Sequence, residues 1–298
     1  MKHLLKLEGM PSAAMEEILA STEVIKAKRG SGEAKPLDGQ TWAMIFTKSS
    51  TRTRVSFEVG IRELGGSVMF LNANDMQLGR GEPIKDTARV LGRMVHGAVI
   101  RTFAQADVEE FAEYSGIPTI NALTDDEHPC QILTDIFTFQ ERRGPIRGKV
   151  VTYVGDGGCN VPVSWVHAAA ALDFELRIAA PSEFQPSAET LAKAAGNISC
   201  TQDIRAAVKG ADMVYTDVWV SMGMEAEAEE RLAKLAGYQI NGGLMCLAKP
   251  DALVMHCLPA YRGKEIDAET FEAHADTIFT QAENRLHTQK AILAWLAG

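Results

Sequence analysis

The chain holds little that would tie it to a membrane, a nucleic acid or an oxidising compartment. No stretch approaches the ~18 consecutive apolar residues of a membrane span. The opening Met1-Lys2-His3-Leu4-Leu5-Lys6 passes to Glu8 rather than into the long apolar region of a signal peptide. Basic residues are outnumbered: 30 Lys and Arg against 39 Asp and Glu leave a formal net charge of -9. Such a balance excludes a general binder of nucleic acid or of acidic membranes. An anionic substrate would need a local cluster of arginines instead. The 5 cysteines form no CxxC pair and are odd in number, which argues against a disulfide framework or a zinc site. Internal repeats and low-complexity segments are also missing. The expectation is a cytoplasmic protein with free thiols.

What is present is alternation. A chain of 298 residues is long enough for two domains. After an opening helix over about 12–28, short β-like runs (41–46, 67–71, 98–102 and 119–122) alternate with helical patterns at 84–95, 107–115 and about 129–142. A second series follows, with strands expected at 150–154, 175–179, 213–217 and 252–257, and a last helix over about 284–296. This alternation predicts an α/β fold of two doubly wound domains, each a mainly parallel sheet flanked by helices. The polar segment from Arg142 to Gly148 marks a boundary, giving domains at 1–143 and 144–283. In open α/β sheets ligands bind beyond the carboxyl ends of strands. Ser50–Arg54, Arg101, Asp156–Asn160, Asp217 and His256-Cys257 all fall at such ends, which predicts a site in a cleft between the domains.

Ser50-Thr51-Arg52-Thr53-Arg54 sits where a strand turns into a helix. Free N–H groups, hydroxyls and guanidinium forks there suit phosphate, although the same residues serve an ordinary helix cap with surface arginines. His128-Pro129-Cys130-Gln131 opens a helix and is either a cap or a pair of donors for a carbonyl or amide. Gly155-Asp156-Gly157-Gly158-Cys159-Asn160 departs from a dinucleotide fingerprint at its third glycine position, which is Asn160, and reads as a tight turn. Asp217-Val218-Trp219-Val220-Ser221-Met222-Gly223 is either a capping loop or a carboxylate placed to hold an ammonium. His256-Cys257-Leu258-Pro259 ends a strand with a thiol and an X-Pro bond that is a candidate cis peptide. Buried Cys is usually inert, and Cys257 alone does not decide otherwise.

Taken together with Ile84–Met94 and Ala282-Glu283-Asn284-Arg285, these segments resemble the aspartate/ornithine transcarbamylase family over nearly the whole chain. The STRTR and HPxQ segments resemble its carbamoyl-phosphate half, and the DxxxSMG and HCLP segments its ornithine branch. The resemblance implies transfer of a carbamoyl group from carbamoyl phosphate to the δ-amine of L-ornithine, with no metal and no organic cofactor. It implies that Ser50, Thr51, Arg52 and Thr53 hold the phosphate while Arg54 braces the helix. Arg101, His128, Gln131 and Thr53 would orient the carbamoyl group, and Arg285 would reach carbamoyl phosphate from a C-terminal helix packed on the first domain. Asn160, Asp217, Ser221 and Met222 would bind ornithine, with Cys257 and Leu258 beside its reacting amine. The segment containing Gln77 would reach a neighbouring site in a homotrimer.

Three departures stand out. Cys159 replaces the first of two asparagines common in the ornithine branch, Pro162-Val163 replaces small or polar residues, and Glu82-Pro83 stiffens the segment after Gln77. The first two leave room for a related acceptor, putrescine or an N-acylated ornithine. A non-catalytic paralogue that binds carbamoyl phosphate is a further alternative.

Overall fold

The structure is a computed structural model that describes residues 1–32, 34–72, 81–194, 196–221 and 224–298. Two compact units emerge: 1–137 with 284–298, and 138–283.

The first unit runs α1 (Ser12–Ala27), β1 (Thr41–Phe46), α2 (Thr51–Glu63), β2 (Ser67–Asn72), α3 (Ile84–Leu91), β3 (Gly97–Arg101), α4 (Gln105–Ser115), β4 (Thr119–Leu123) and the start of α5 (Pro129–Arg143). Its strands form one parallel sheet in the order β2-β1-β3-β4. The interior strands read as near-continuous apolar runs because helices cover both faces of a parallel sheet. Every residue of β3 is buried, whereas edge strand β2 alternates and leaves Met69 exposed. Ala43, Ile45, Ala98 and Ile100 pack with Val108 and Phe111 of α4 into one core cluster.

The second unit runs β5 (Val150–Val154), α6 (Asn160–Leu172), β6 (Glu175–Ala179), α7 (Ala188–Lys193), β7 (Ile198–Thr201), α8 (Ile204–Val208), β8 (Met213–Thr216), α9 (Ala228–Leu235), α10 (Gly242–Met245), β9 (Leu253–His256), α11 (Ala268–Ala273) and the start of α12 (Ala275–Ala297). Its sheet is also parallel, in the order β7-β6-β5-β8-β9. Val154, Val214 and Val254 meet Ile240 and Phe271 in its core.

The expected doubly wound α/β architecture is present in both units, and the differences have local causes. Strand β7 was not foreseen: Ile-Ser-Cys-Thr is a short, half-exposed edge strand without an apolar run. Helix α3 stops at Leu91 instead of continuing to Val95. Gly92 follows it, where a Cβ would lie 1.8 Å from the Ser115 carbonyl oxygen, so only glycine lets this end of α3 meet α4. Helix α12 begins at Ala275, well before Asn284. The compact units divide at Phe137/Thr138, inside α5. The last turn of α5 is tied to the second unit, Arg142 to Asp276 (2.8 Å) and Arg143 to the Asp251 carbonyl (2.8 Å).

Candidate active site

The first group of site residues is built on the turn from β1 into α2. Ser50 is the N-cap, in extended conformation, and its hydroxyl accepts the Thr53 N–H at 3.3 Å. One of the orphan donors of the helix start is thereby satisfied, and the positive end of the helix remains directed at the turn. Beside it lies a cavity of about 430 Å³ walled by Phe46, Lys48, Ser50, Thr51, Arg54 and Phe70, among others. Arg54 stacks its guanidinium 3.7 Å from the Phe70 ring centroid and pairs with Glu58 at 3.8 Å. Arg52 and Thr53 do not line this cavity. Thr53 is buried on another side of the helix, where its hydroxyl accepts from the Arg285 guanidinium at 2.8 Å.

Arg285 brings α12 into this group. Arg101 at the end of β3 and His128 just before α5 are buried with it. Burial, and then the charges of Arg285 and Arg101, hold His128 well below its ordinary value, so its imidazole is neutral. Gln131 donates through its amide nitrogen to Asp135 at 2.7 Å, which fixes the orientation of the amide. Its buried Oε1 has no hydrogen-bond partner among the described residues and is available as an acceptor. Two guanidinium groups, a neutral imidazole and one directed amide oxygen suit a small carbonyl compound bearing an –NH2.

In the second unit, strand register does the placing. Thr216 of β8 sits opposite His256 of β9, so the residues that follow, Asp217 and Cys257, emerge side by side at the carboxyl edge. The Cys257 thiol donates to Asp217 Oδ1 at 2.8 Å, and the same oxygen accepts the Val218 N–H at 2.7 Å. Leu258 adopts a left-handed φ of 61°, and the Leu258–Pro259 bond is cis. The strained turn is held from below: the Leu258 N–H donates to His256 Nδ1 at 2.9 Å, leaving Nε2–H for Glu265 at 3.1 Å. Asp217, His256 and Cys257 lie within 4.8 Å of one another, but both His256 nitrogens are engaged, and the group does not suit a metal ion. Asn160 is the first residue of α6, and Ser221 follows Asp217 in the loop after β8. Gln77 and Met222 lie outside the described residues.

Cys159 is buried at the N-cap position of α6 and does not cap it. Its thiol turns inward to the Asp156 carbonyl at 3.2 Å, and burial pushes it well above the usual thiol range. Two residues missed from sequence organise the strand ends of their own units, Lys48 in the first and Arg231 in the second. Lys48 is buried against Asp125 and lies 4.2 Å from the Phe103 ring centroid; its place just before Ser50 was a usable signal. Arg231 forms a buried ion pair with Asp156 and donates to the Trp219 carbonyl at 2.9 Å, fastening the loop that follows Asp217. It lies in the charged run Glu229-Glu230-Arg231, which reads as a solvated helix face. Arg231→Met should cost about 3–5 kcal/mol in urea unfolding, because Asp156 would stay buried without its counter-charge. A loss under about 1 kcal/mol would mean that water reaches Asp156.

Two parallel-sheet units with polar side chains gathered at their strand ends, anion-suited donors in one and a carboxylate–thiol pair in the other, define a two-domain α/β transferase. Family models carry this further. The aspartate/ornithine carbamoyltransferase carbamoyl-P binding domain matches residues 2–141, and the Asp/Orn binding domain of the same family matches residues 147–296. The chain belongs to the aspartate/ornithine carbamoyltransferase family. It is 54% identical to the ornithine carbamoyltransferase of Akkermansia muciniphila over 100% of this chain and 98% of that protein. Among solved structures, it superposes on the anabolic ornithine carbamoyltransferase of Campylobacter jejuni with a TM-score of 0.94 at 42% identity, covering 99% of each chain. The Pyrococcus furiosus ornithine carbamoyltransferase gives a TM-score of 0.92 at 44% identity, covering 100% of this chain and 97% of the other.

Proposed function

We propose that the protein transfers the carbamoyl group of carbamoyl phosphate to the δ-amine of L-ornithine, giving L-citrulline and phosphate. The observation that carries this reading is the Cys257–Asp217 hydrogen bond of 2.8 Å, a thiol and a carboxylate paired at adjacent strand ends. A binding-only protein has no use for such an amine-handling pair. Family membership, with relatives named ornithine carbamoyltransferase, supports the substrate.

The uncharged amine attacks the carbamoyl carbon, a C–N bond forms, and the carbonyl oxygen becomes an oxyanion. Collapse of that intermediate expels phosphate. Arg101 and neutral His128 donate to the oxyanion, and Gln131 Oε1 accepts from the carbamoyl –NH2. Ser50, Thr51, Arg52 and Thr53 take the phosphate oxygens, with Arg285 placed against Thr53 to assist. Asn160, Asp217, Ser221 and Met222 hold the amino-acid end of ornithine. Cys257 and Leu258 flank the reacting nitrogen, and Asp217 with Cys257 positions the amine and helps accept its proton. None of these steps calls for a metal or an organic cofactor.

The domain reading of 1–143 for carbamoyl phosphate and 144–283 for ornithine accompanies this assignment, as does a homotrimer in which the Gln77 segment serves a neighbouring site. Sedimentation should give a trimer, and a monomer with full activity would remove the shared-site element. A cytoplasmic place in arginine biosynthesis fits the acidic composition and five free cysteines; among the described residues no helix is long and apolar enough to cross a membrane.

The test is ureido-product formation from carbamoyl phosphate with ornithine, putrescine, N-acetylornithine and aspartate offered separately. Ornithine should be preferred by at least about 100-fold in kcat/KM, since a site built to bind a polar group rejects an analogue lacking it. Preference for putrescine or N-acetylornithine would overturn the ornithine assignment and leave the phosphate half standing. No turnover with any of the four acceptors would favour a binding-only paralogue.

A further inference from the structure

The N-terminal segment is fastened both to β4 and to the loop that delivers His128. Leu4 bridges Ile120 of β4, with its N–H donating to the Thr119 carbonyl at 3.0 Å and its carbonyl accepting from Asn121 at 2.7 Å. The Leu5 carbonyl accepts from the Asn121 and Gln105 amides at 2.8 and 3.1 Å. Glu127 completes the attachment: one carboxylate oxygen accepts the Leu7 N–H at 2.7 Å, and the other accepts the Glu8 N–H at 3.1 Å. This carboxylate is only 3% exposed, and its main chain is closed onto Thr124 by bonds of 3.0 and 3.1 Å. The next residue is His128, whose carbonyl accepts from Gln131 as α5 begins. Asp125, in the same loop, holds Lys48 against the wall of the cavity beside Ser50.

We propose that Glu127 is a positioning residue for carbamoyl transfer: its two carboxylate oxygens clamp the Leu7 and Glu8 backbone to the 124–128 loop and so fix His128 where the oxyanion forms. The inference rests on the function proposed above. Glu127 touches no reacting atom in this scheme and acts only through the loop. A purely structural clamp would show itself in stability alone; this one should also show itself in kcat. Burial pushes the Glu127 carboxyl up to about 7, opposed by the Leu7 and Glu8 N–H bonds, which favour the ionised form. An acid whose folded value is raised loses folding stability as pH climbs from its ordinary 4.5 towards 7, so above that range the ionised carboxylate is a cost to the fold. Glu127→Gln removes this cost but places an –NH2 against one of the two N–H donors, opening one arm. Glu127→Ala opens both.

The experiment compares full-length wild type, E127Q and E127A at pH 8 by steady-state citrulline formation, inhibition by inorganic phosphate, thermal midpoint, and hydrogen exchange of the amides of residues 4–8. E127Q should lose about tenfold in kcat, with KM for ornithine and phosphate inhibition within about twofold of wild type, and with an unlowered midpoint. E127A should lose more, and exchange at residues 7 and 8 should quicken in both variants. A kcat within about twofold of wild type for both, or a loss matched by weakened phosphate inhibition and a lowered midpoint, would overturn the assignment. Wild type that makes no ureido product would instead overturn the function. In that case quickened exchange at residues 7 and 8 would still support the clamp, and unchanged exchange would remove it.

Discussion

Arg101→Ala should lower kcat by on the order of 10²–10³. The rate should fall if, as proposed, the buried Arg101 guanidinium donates to the developing oxyanion, where water cannot replace it. Arg101 and Arg285 are both buried, and both charges act on His128. The same substitution should move His128 back towards its ordinary value of 6.5, though not to it, since burial is the larger cause of the depression. An NMR titration of the imidazole reads this directly. In the wild type, His128 has a depressed folded value, so its stabilising contribution is complete above about 6.5 and declines as pH falls below that. Activity should therefore show no acid limb near 6.5 from this residue. Near-normal citrulline formation by Arg101→Ala would give Arg101 a structural role instead.

The parts legible in the sequence are those set by local pattern. Strands β1, β5 and β6 fall on the expected residues because each is an apolar or mixed run closed by turn residues. The turn from β1 to α2 was visible because Ser50 is both a good N-cap and the first polar residue of its motif. Edge strand β7 was not visible, since a half-exposed strand has no period strong enough to read. The site divides in the same way. Asp217 and Cys257 could each be put at a strand end, but their hydrogen bond follows from the β8–β9 register, which no local pattern carries. Arg231 and Glu127 were illegible for a different reason. Each works on a partner far away in the chain, and each sits among charged neighbours that read as ordinary surface. Cys159 shows the opposite case: it was visible as a departure, and the inward turn of its thiol accounts for its being accommodated.

The largest effect on the amine side is expected from Asp217→Asn. This change is nearly isosteric and keeps a side-chain oxygen for the Val218 N–H, so the loop after β8 should stay in place. It removes the negative charge and weakens the acceptor that holds the Cys257 thiol. If Asp217 steers the amine and helps take its proton, kcat/KM for ornithine should fall by on the order of 10²–10⁴. The KM for carbamoyl phosphate should stay within about twofold, because Ser50, Arg52 and Arg285 are untouched. Cys257→Ser keeps a donor for Asp217 and should cost less, about tenfold. Measured together, the two variants separate charge from positioning. A loss confined to Cys257→Ser would make the thiol the working group and Asp217 its support. Loss of carbamoyl-phosphate affinity in Asp217→Asn would show that the carboxylate shapes the other substrate's site, contrary to the assignment made here.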